Sequence, residues 1–167
     1  MLIVLGGLPG VGKTAIAREL ACRIGAMHVR VDSIEQAIRA SGFADKPLDD
    51  TGYRIAYAIA EDNLRIGRTV IADSVNPLPL TRDFWVEVAK RAGVAWIEIE
   101  IVCSDPVAHR RRVETRIPDI AGLRLPGWED VKAREYHPWH REHVVIETSE
   151  RTVEENVAII QELLRHR

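Results

Sequence analysis

Gly7-Leu8-Pro9-Gly10-Val11-Gly12-Lys13-Thr14 directly follows the apolar run Leu2-Ile3-Val4-Leu5, and this junction decides how the rest of the chain is read. It matches G-x-x-x-x-G-K-[ST] at every fixed position, with a buried-strand pattern before it and a helix after it. The helix is legible because Ile16, Ala17, Leu20, Ala21 and Ile24 recur at three- and four-residue spacing and Gly25 supplies the stop. Glycines let backbone N–H groups turn inward around an anion, and the helix N-terminus adds the positive end of its dipole. Gly7, Pro9, Gly10, Val11, Gly12, Lys13, Thr14 and Ala15 are therefore the expected nucleotide-binding set. Lys13 would reach the β- and γ-phosphates and the Thr14 hydroxyl would hold Mg²⁺, making ATP and Mg²⁺ the expected ligands.

At 167 residues the chain has room for one domain with a real core, read as residues 1–167. A hydrophobic content of 46% and a charged content of 29% are ordinary for a soluble globular protein. The formal charge of -2 argues against a surface built throughout for nucleic acid, although a local basic channel is compatible with it. Cys22 and Cys103 read as buried free thiols of a reducing compartment. No signal peptide or membrane span is visible, so a cytoplasmic protein with no membrane partner is expected.

Beyond the first helix, Met27 to Val31 alternates like a strand ending at Asp32, and a helix starts near Ser33. A polar loop from Ser41 to Asp50 contains Pro47. A helix from about Thr51 places Ile55, Ala56, Ile59, Ala60 and Leu64 on one face. Thr69 to Ala72 is a short, fully apolar strand ending at Asp73. A helix with Phe84, Val88 and Ala92 closes at Gly93. Val94 to Val102 is a fourth strand and His143 to Glu147 a fifth, while Thr152 and Glu155 form a capping box for the last helix. Between them, residues 105–136 carry an arginine cluster and then Pro118, Gly122, Pro126 and Gly127, the composition of a lid. Strands alternating with helices predict an α/β fold of the P-loop NTPase type: a five-stranded, mainly parallel sheet with helices on both faces. In such sheets ligands bind beyond the carboxyl ends of the strands, which brings the glycine-rich loop, Asp32 and Asp73 to one rim.

Phosphoryl transfer needs a clamped γ-phosphate, a held metal and an oriented acceptor. Asp32 is the candidate base for an acceptor hydroxyl, and it could equally cap the helix beginning at Ser33. Asp73 has two functional readings, holding Mg²⁺ with Thr14 or binding the acceptor, beside a turn role before Asn76-Pro77. Asn76 and Arg82 are candidates for the acceptor pocket. Arg112 and Arg116, four residues apart, would share a helical face and neutralise charge between donor and acceptor, with Arg110 and Arg111 as further candidates. His137, His140 and His143 are interrupted by Pro138 and Trp139 and lack a cysteine or acidic cluster, so they are not read as a metal site. The tryptophans read as packing residues, with Trp128 left open as a base-stacking platform.

Taken together, the chain resembles the small P-loop kinases that phosphorylate hydroxyl groups, the group of chloramphenicol phosphotransferase, polynucleotide kinase and the zeta toxins. The resemblance rests on residues 7–14, Val31-Asp32-Ser33, Ile71-Ala72-Asp73-Ser74-Val75-Asn76, the segment Arg110 to Arg116, and Val145-Ile146-Glu147-Thr148-Ser149. It implies Asp32 as catalytic base and Arg112 and Arg116 as lid residues on the donor phosphates. The expected activity is transfer of the γ-phosphate of ATP to a hydroxyl of a small molecule. A 5′-hydroxyl polynucleotide kinase is the nearby alternative. A nucleotide-gated ATPase or switch is the alternative of another class, against which no apolar run ends in an Asp-Glu pair that would position a hydrolytic water.

Overall fold

Leu2 to Leu5 are entirely apolar because the strand they form, β1 (Leu2–Gly6), has a neighbour on each edge and helices on each face; all five of its residues are buried. The computed structural model describes residues 1–42 and 48–166, so Pro47 of the expected polar loop lies outside the described residues. From β1 the chain passes through the glycine-rich loop into α1 (Lys13–Ile24), which ends at Gly25 in a left-handed conformation with φ 63°. β2 (Met27–Arg30) runs straight into α2 (Val31–Ala40), followed by α3 (Thr51–Arg65) and β3 (Val70–Asp73). Then come α4 (Pro79–Ala92), β4 (Trp96–Val102), α5 (Pro106–Thr115), α6 (Trp128–Lys132), β5 (Val144–Glu147) and α7 (Val153–Arg165).

The sheet order is β2-β3-β1-β4-β5 and every described pairing is parallel. Ile16 and Leu20 of α1 and Val157 and Ile160 of α7 pack with Ile3, Leu5, Ile99 and Ile101 on one face. Ala56, Ala60 and Leu64 of α3 and Trp85, Val88 and Ala89 of α4 pack with Leu2, Val4, Val70 and Ala72 on the other. The expected α/β architecture with helices on both faces is what forms. The capping box of α7 is also present, the Thr152 hydroxyl and Glu155 carboxylate exchanging hydrogen bonds with each other's backbone N–H. Among the described residues no helix is long and apolar enough to cross a membrane.

Several local expectations change. α2 begins at Val31, so Asp32 lies inside its first turn and Arg30 occupies the N-cap position; Asp32 does not cap a helix at Ser33. Ile55 and Phe84 are exposed rather than buried, because Tyr57 and Trp85 take the inward positions beside them. Cys22 faces outward from α1 and Cys103 is half-buried, so neither is the buried thiol expected. Arg112 and Arg116 part company: α5 stops at Thr115 and Arg116 is extended at φ −66°, ψ 141°. Pro118 disfavours helical backbone at the residue before it, which fixes the stop.

The turn after β3 is tied down by Asn76 and Arg82. Asn76 is fully buried with φ 50°; its amide donates to the Leu5 carbonyl at 2.8 Å and accepts from Trp85 Nε1 at 3.1 Å. Arg82, 2% exposed, donates to the carbonyls of Asn76, Pro77, His137 and Pro138. Its guanidinium also stacks 4.3 Å from the centre of the Trp139 ring. Both residues expected to line an acceptor pocket are thereby engaged in joining β1, α4 and the segment before β5. Their polar groups are taken by the protein itself. A second tie joins the ends of β4 and β5, where the Glu147 carboxylate accepts from the backbone N–H of Ser104 and Ser149.

Replacing Asn76 with alanine strands the Leu5 carbonyl and the Trp85 indole and leaves a non-glycine residue at positive φ. The expected loss is about 3 kcal/mol, at 1–3 per buried unsatisfied group, measured by urea unfolding. Burial works to raise the Glu147 pKa, but hydrogen bonds from Ser149 and Ser104 outweigh it and bring it down to about 2. A carboxylate with a lowered folded pKa stabilises above its unfolded value and loses that stabilisation as pH falls towards 2. Glu147→Gln should therefore lower stability at neutral pH by about 1–3 kcal/mol and flatten the acid limb of the stability curve below pH 4.5.

Candidate active site

The glycine-rich loop keeps its shape because a side chain is excluded at key positions. Gly7 has φ 133°, and a Cβ there would lie 2.1 Å from the Ile101 carbonyl oxygen. Gly10 has φ 88°, and its Cβ would lie 2.5 Å from the Val113 side chain of α5. The segment expected to behave as a lid therefore begins with a helix seated on the loop. His109 of α5 donates from Nε2 to the Pro9 carbonyl at 2.8 Å, and the Trp128 ring meets His109 edge-on at 5.2 Å. Trp128 thus packs behind the loop.

Lys13 opens α1 with its side chain buried and its Nζ 2.9 Å from the Leu8 carbonyl, parked on the loop it serves. Burial pushes its ammonium down to about 8; Asp73 and Asp32 pull it back up, while Arg116 and Arg134 push it further down. Those five side chains share one electrostatic neighbourhood.

Asp73, at the end of β3, is 3% exposed and accepts a hydrogen bond from His28 Nε2 at 3.0 Å. Although burial opposes it, His28, the charge of Lys13 and the nearby Thr14 hydroxyl hold the Asp73 carboxyl below the usual carboxylate range. A hydroxyl and an ionised carboxylate side by side are hard oxygen donors, and they fit Mg²⁺. His28 reaches Asp73 because β2 lies beside β3 in register, with Arg30 opposite Asp73, so alternate residues of β2 point the same way as that carboxylate.

Asp32, at the start of α2, is half exposed and lies 3.6 Å from the Arg30 guanidinium. Glu35, one turn on, is half-buried against Gly52, and burial raises its pKa. Arg116, lowered by burial, has its Nε buried without a partner and one weak bond to the Pro126 carbonyl at 3.3 Å. Arg112 goes elsewhere: it donates to the Thr148 hydroxyl at 2.9 Å and the Thr148 carbonyl at 2.6 Å. That hydroxyl in turn lies 2.9 Å from the Val11 carbonyl, so Arg112 braces the loop from behind.

The structure thus gathers Lys13, Thr14, Asp32, Asp73 and Arg116 around one rim and leaves Asn76, Arg82 and Arg112 in supporting positions. Sequence reading missed His28, Arg30 and Arg134. The first two were findable from strand alternation once β2 is placed beside β3. Arg134, just past α6, carries no local signal.

A search of curated proteins finds no match to this chain. Among solved structures, the APS kinase CysC of Mycobacterium tuberculosis, in complex with AMPPNP and APS, superposes with a TM-score of 0.74 at 17% identity, covering 98% of this chain and 96% of that one. Kti12 of Chaetomium thermophilum, in complex with ADP-AlF3, gives 0.70 at 21% identity, covering 97% and 98%. A gluconokinase of Sinorhizobium meliloti gives 0.65 at 16%, covering 98% and 95%. At these identities the likeness is one of fold, a five-stranded parallel P-loop architecture shared with kinases. The family model described as AAA domain matches residues 2–120, well over half of the chain and all of the loop, Asp32 and Asp73. On that match, the chain belongs to the AAA domain family.

Proposed function

We propose that this protein is an ATP-dependent phosphotransferase that moves the γ-phosphoryl group to a hydroxyl of a small molecule. The observation that carries the reading is the glycine-rich loop with Lys13 buried against its Leu8 carbonyl, set beside the buried Asp73 carboxylate that ends the neighbouring strand β3. A triphosphate in the loop would draw Lys13 from the Leu8 carbonyl to its β- and γ-oxygens. Thr14 and Asp73 would hold Mg²⁺, which supplies charge neutralisation across those phosphates when bound. Asp32, half exposed in the first turn of α2, would be open to an incoming acceptor. It would accept the proton of the acceptor hydroxyl as the new O–P bond forms and the bond from the γ-phosphorus to the bridging oxygen breaks, releasing ADP. Arg116 and Arg134 would neutralise the oxygens of the group in transit. Within this reading, the sequence motifs favour the group of chloramphenicol phosphotransferase, polynucleotide kinase and the zeta toxins.

The test follows γ-labelled phosphate from ATP with Mg²⁺ onto separate acceptors: hydroxylated antibiotics, nucleosides, polyols and sugar acids, and a 5′-hydroxyl oligonucleotide. Label on an alcohol supports the proposal. Label released only as inorganic phosphate, at one rate whatever is added, would overturn it in favour of a nucleotide-gated ATPase.

Two variants separate the roles. Asp32→Asn should lower transfer by roughly 10²–10⁴-fold, the scale of general-base loss, while nucleotide affinity in equilibrium titration stays within about twofold. Since Asp32 is not the N-cap, its unfolding free energy should change by less than about 1 kcal/mol, the scale of a charge in the first helical turn. Lys13→Ala should instead abolish turnover through lost phosphate binding. Equal loss of nucleotide affinity in both variants would contradict this division of roles.

A further inference from the structure

Arg30 closes β2 with its side chain only 9% exposed. A buried cation needs an anionic partner. Its partner here comes from the irregular segment between α5 and α6. Arg30 Nη1 and Nη2 grip the two carboxylate oxygens of Asp119 at 2.7 and 3.2 Å, as a fork. Arg18, projecting from α1, bonds Oδ2 of the same carboxylate, the oxygen that Arg30 Nη1 also holds. The Arg30 fork holds the Asp119 pKa down to about 2, with Arg18 adding to the effect.

Three further observations set this pairing apart from a surface salt bridge. Arg30 Nε is buried with no hydrogen-bond partner, so the site has more donors than Asp119 can satisfy. Arg18 and Arg30 also line an open cavity of about 230 Å³, together with His28 and Ser33 and the apolar side chains of Met27, Val29, Ile34 and Ile59. Finally, the fork that holds Asp119 stands 3.6 Å from Asp32. An anion seated in that fork would therefore lie next to the group assigned as acceptor base.

We propose that Asp119 occupies an anion subsite of the acceptor pocket, and that the acceptor is an alcohol carrying a carboxylate, phosphate or sulfate that displaces Asp119 from Arg30 and Arg18. The inference rests on the phosphotransferase reading above for the word acceptor, but the anion subsite stands apart from turnover. The hydroxyl to be phosphorylated lies a few bonds from the anionic group, so that one reaches Asp32 while the other fills the fork.

Inorganic phosphate is the direct probe, titrated by calorimetry into the full chain saturated with AMPPNP and Mg²⁺. An internal carboxylate that occupies the subsite weakens any outside anion in proportion to its occupancy. Asp119→Asn should therefore bind phosphate at least about tenfold more tightly than wild type, and adding Arg30→Gln or, if that variant does not fold, Arg18→Gln should remove the gain. No gain in Asp119→Asn, or a gain that survives loss of the arginines, overturns the proposal. So does a gain seen only without AMPPNP, which would assign the anion to the glycine-rich loop.

Labelled transfer to gluconate against sorbitol, and to glycerol 3-phosphate against glycerol, distinguishes the two readings. Faster transfer to the neutral members overturns the anionic acceptor and leaves phosphotransfer intact. Phosphate bound as expected, with no label on any alcohol, supports the subsite and overturns the kinase.

Discussion

A loop that turns its N–H groups inward around an anion must turn its carbonyls outward, and those carbonyls still need donors. This constraint organises much of the structure behind residues 7–12. The Pro9 carbonyl is met by His109 from α5, and the Val11 carbonyl by Thr148 from the end of β5, itself gripped by Arg112. The Gly7 N–H is returned to the Val75 carbonyl in the turn after β3. Three separate connections, all at the carboxyl ends of strands, thus converge on one stretch of backbone. The Leu8 carbonyl is the exception, since its donor is Lys13. Of these outward bonds, it is the one made by a residue that the bound triphosphate would also claim.

The arginines divide according to what surrounds them. Arg82 is buried among four carbonyls and two aromatic rings, a setting that suits a planar cation with five donors. Arg112 ends on a hydroxyl and a carbonyl of one threonine. Arg116 has a buried Nε with nothing opposite it, and Arg30 has another. In a folded protein nearly every buried polar group is satisfied, so two unsatisfied guanidinium nitrogens on the same rim carry more information than any ion pair at the surface.

The α/β order, the glycine-rich loop and the rim formed by Asp32 and Asp73 were legible because each follows from a local pattern: a fully apolar run, a fixed motif, or an acid at a strand end. Helix faces were legible less evenly. Ile55 and Phe84 fit the spacing of a buried stripe, but Tyr57, two residues past Ile55, and Trp85, next to Phe84, take core positions instead, beside Ala56, Ala60, Leu64 and Val88. The site residues that escaped sequence reading depend on register or on a chain path. His28 becomes a partner of Asp73 only when β2 is placed beside β3. Arg134 reaches the neighbourhood of Lys13 only because the chain returns across the loop after α6. The spacing of Arg112 and Arg116 misled because it assumed that the helix continued, and Pro118 ends it.

The charges at the rim explain why such a site is built for a ligand rather than for stability. Lys13, Arg116 and Arg134 bring three positive charges against the two carboxylates of Asp32 and Asp73, and the strain is visible in Lys13, whose ammonium burial and the two arginines drive down to about 8. Arg30 would add a fourth cation to the same rim, were it not held by Asp119. Burying like charges together is unfavourable unless something anionic joins them. A triphosphate in the loop, on the proposed reading, would supply that charge, draw Lys13 from the Leu8 carbonyl and offer an oxygen to the buried Arg116 nitrogen. A ligand that binds only the folded chain would in turn stabilise it by mass action.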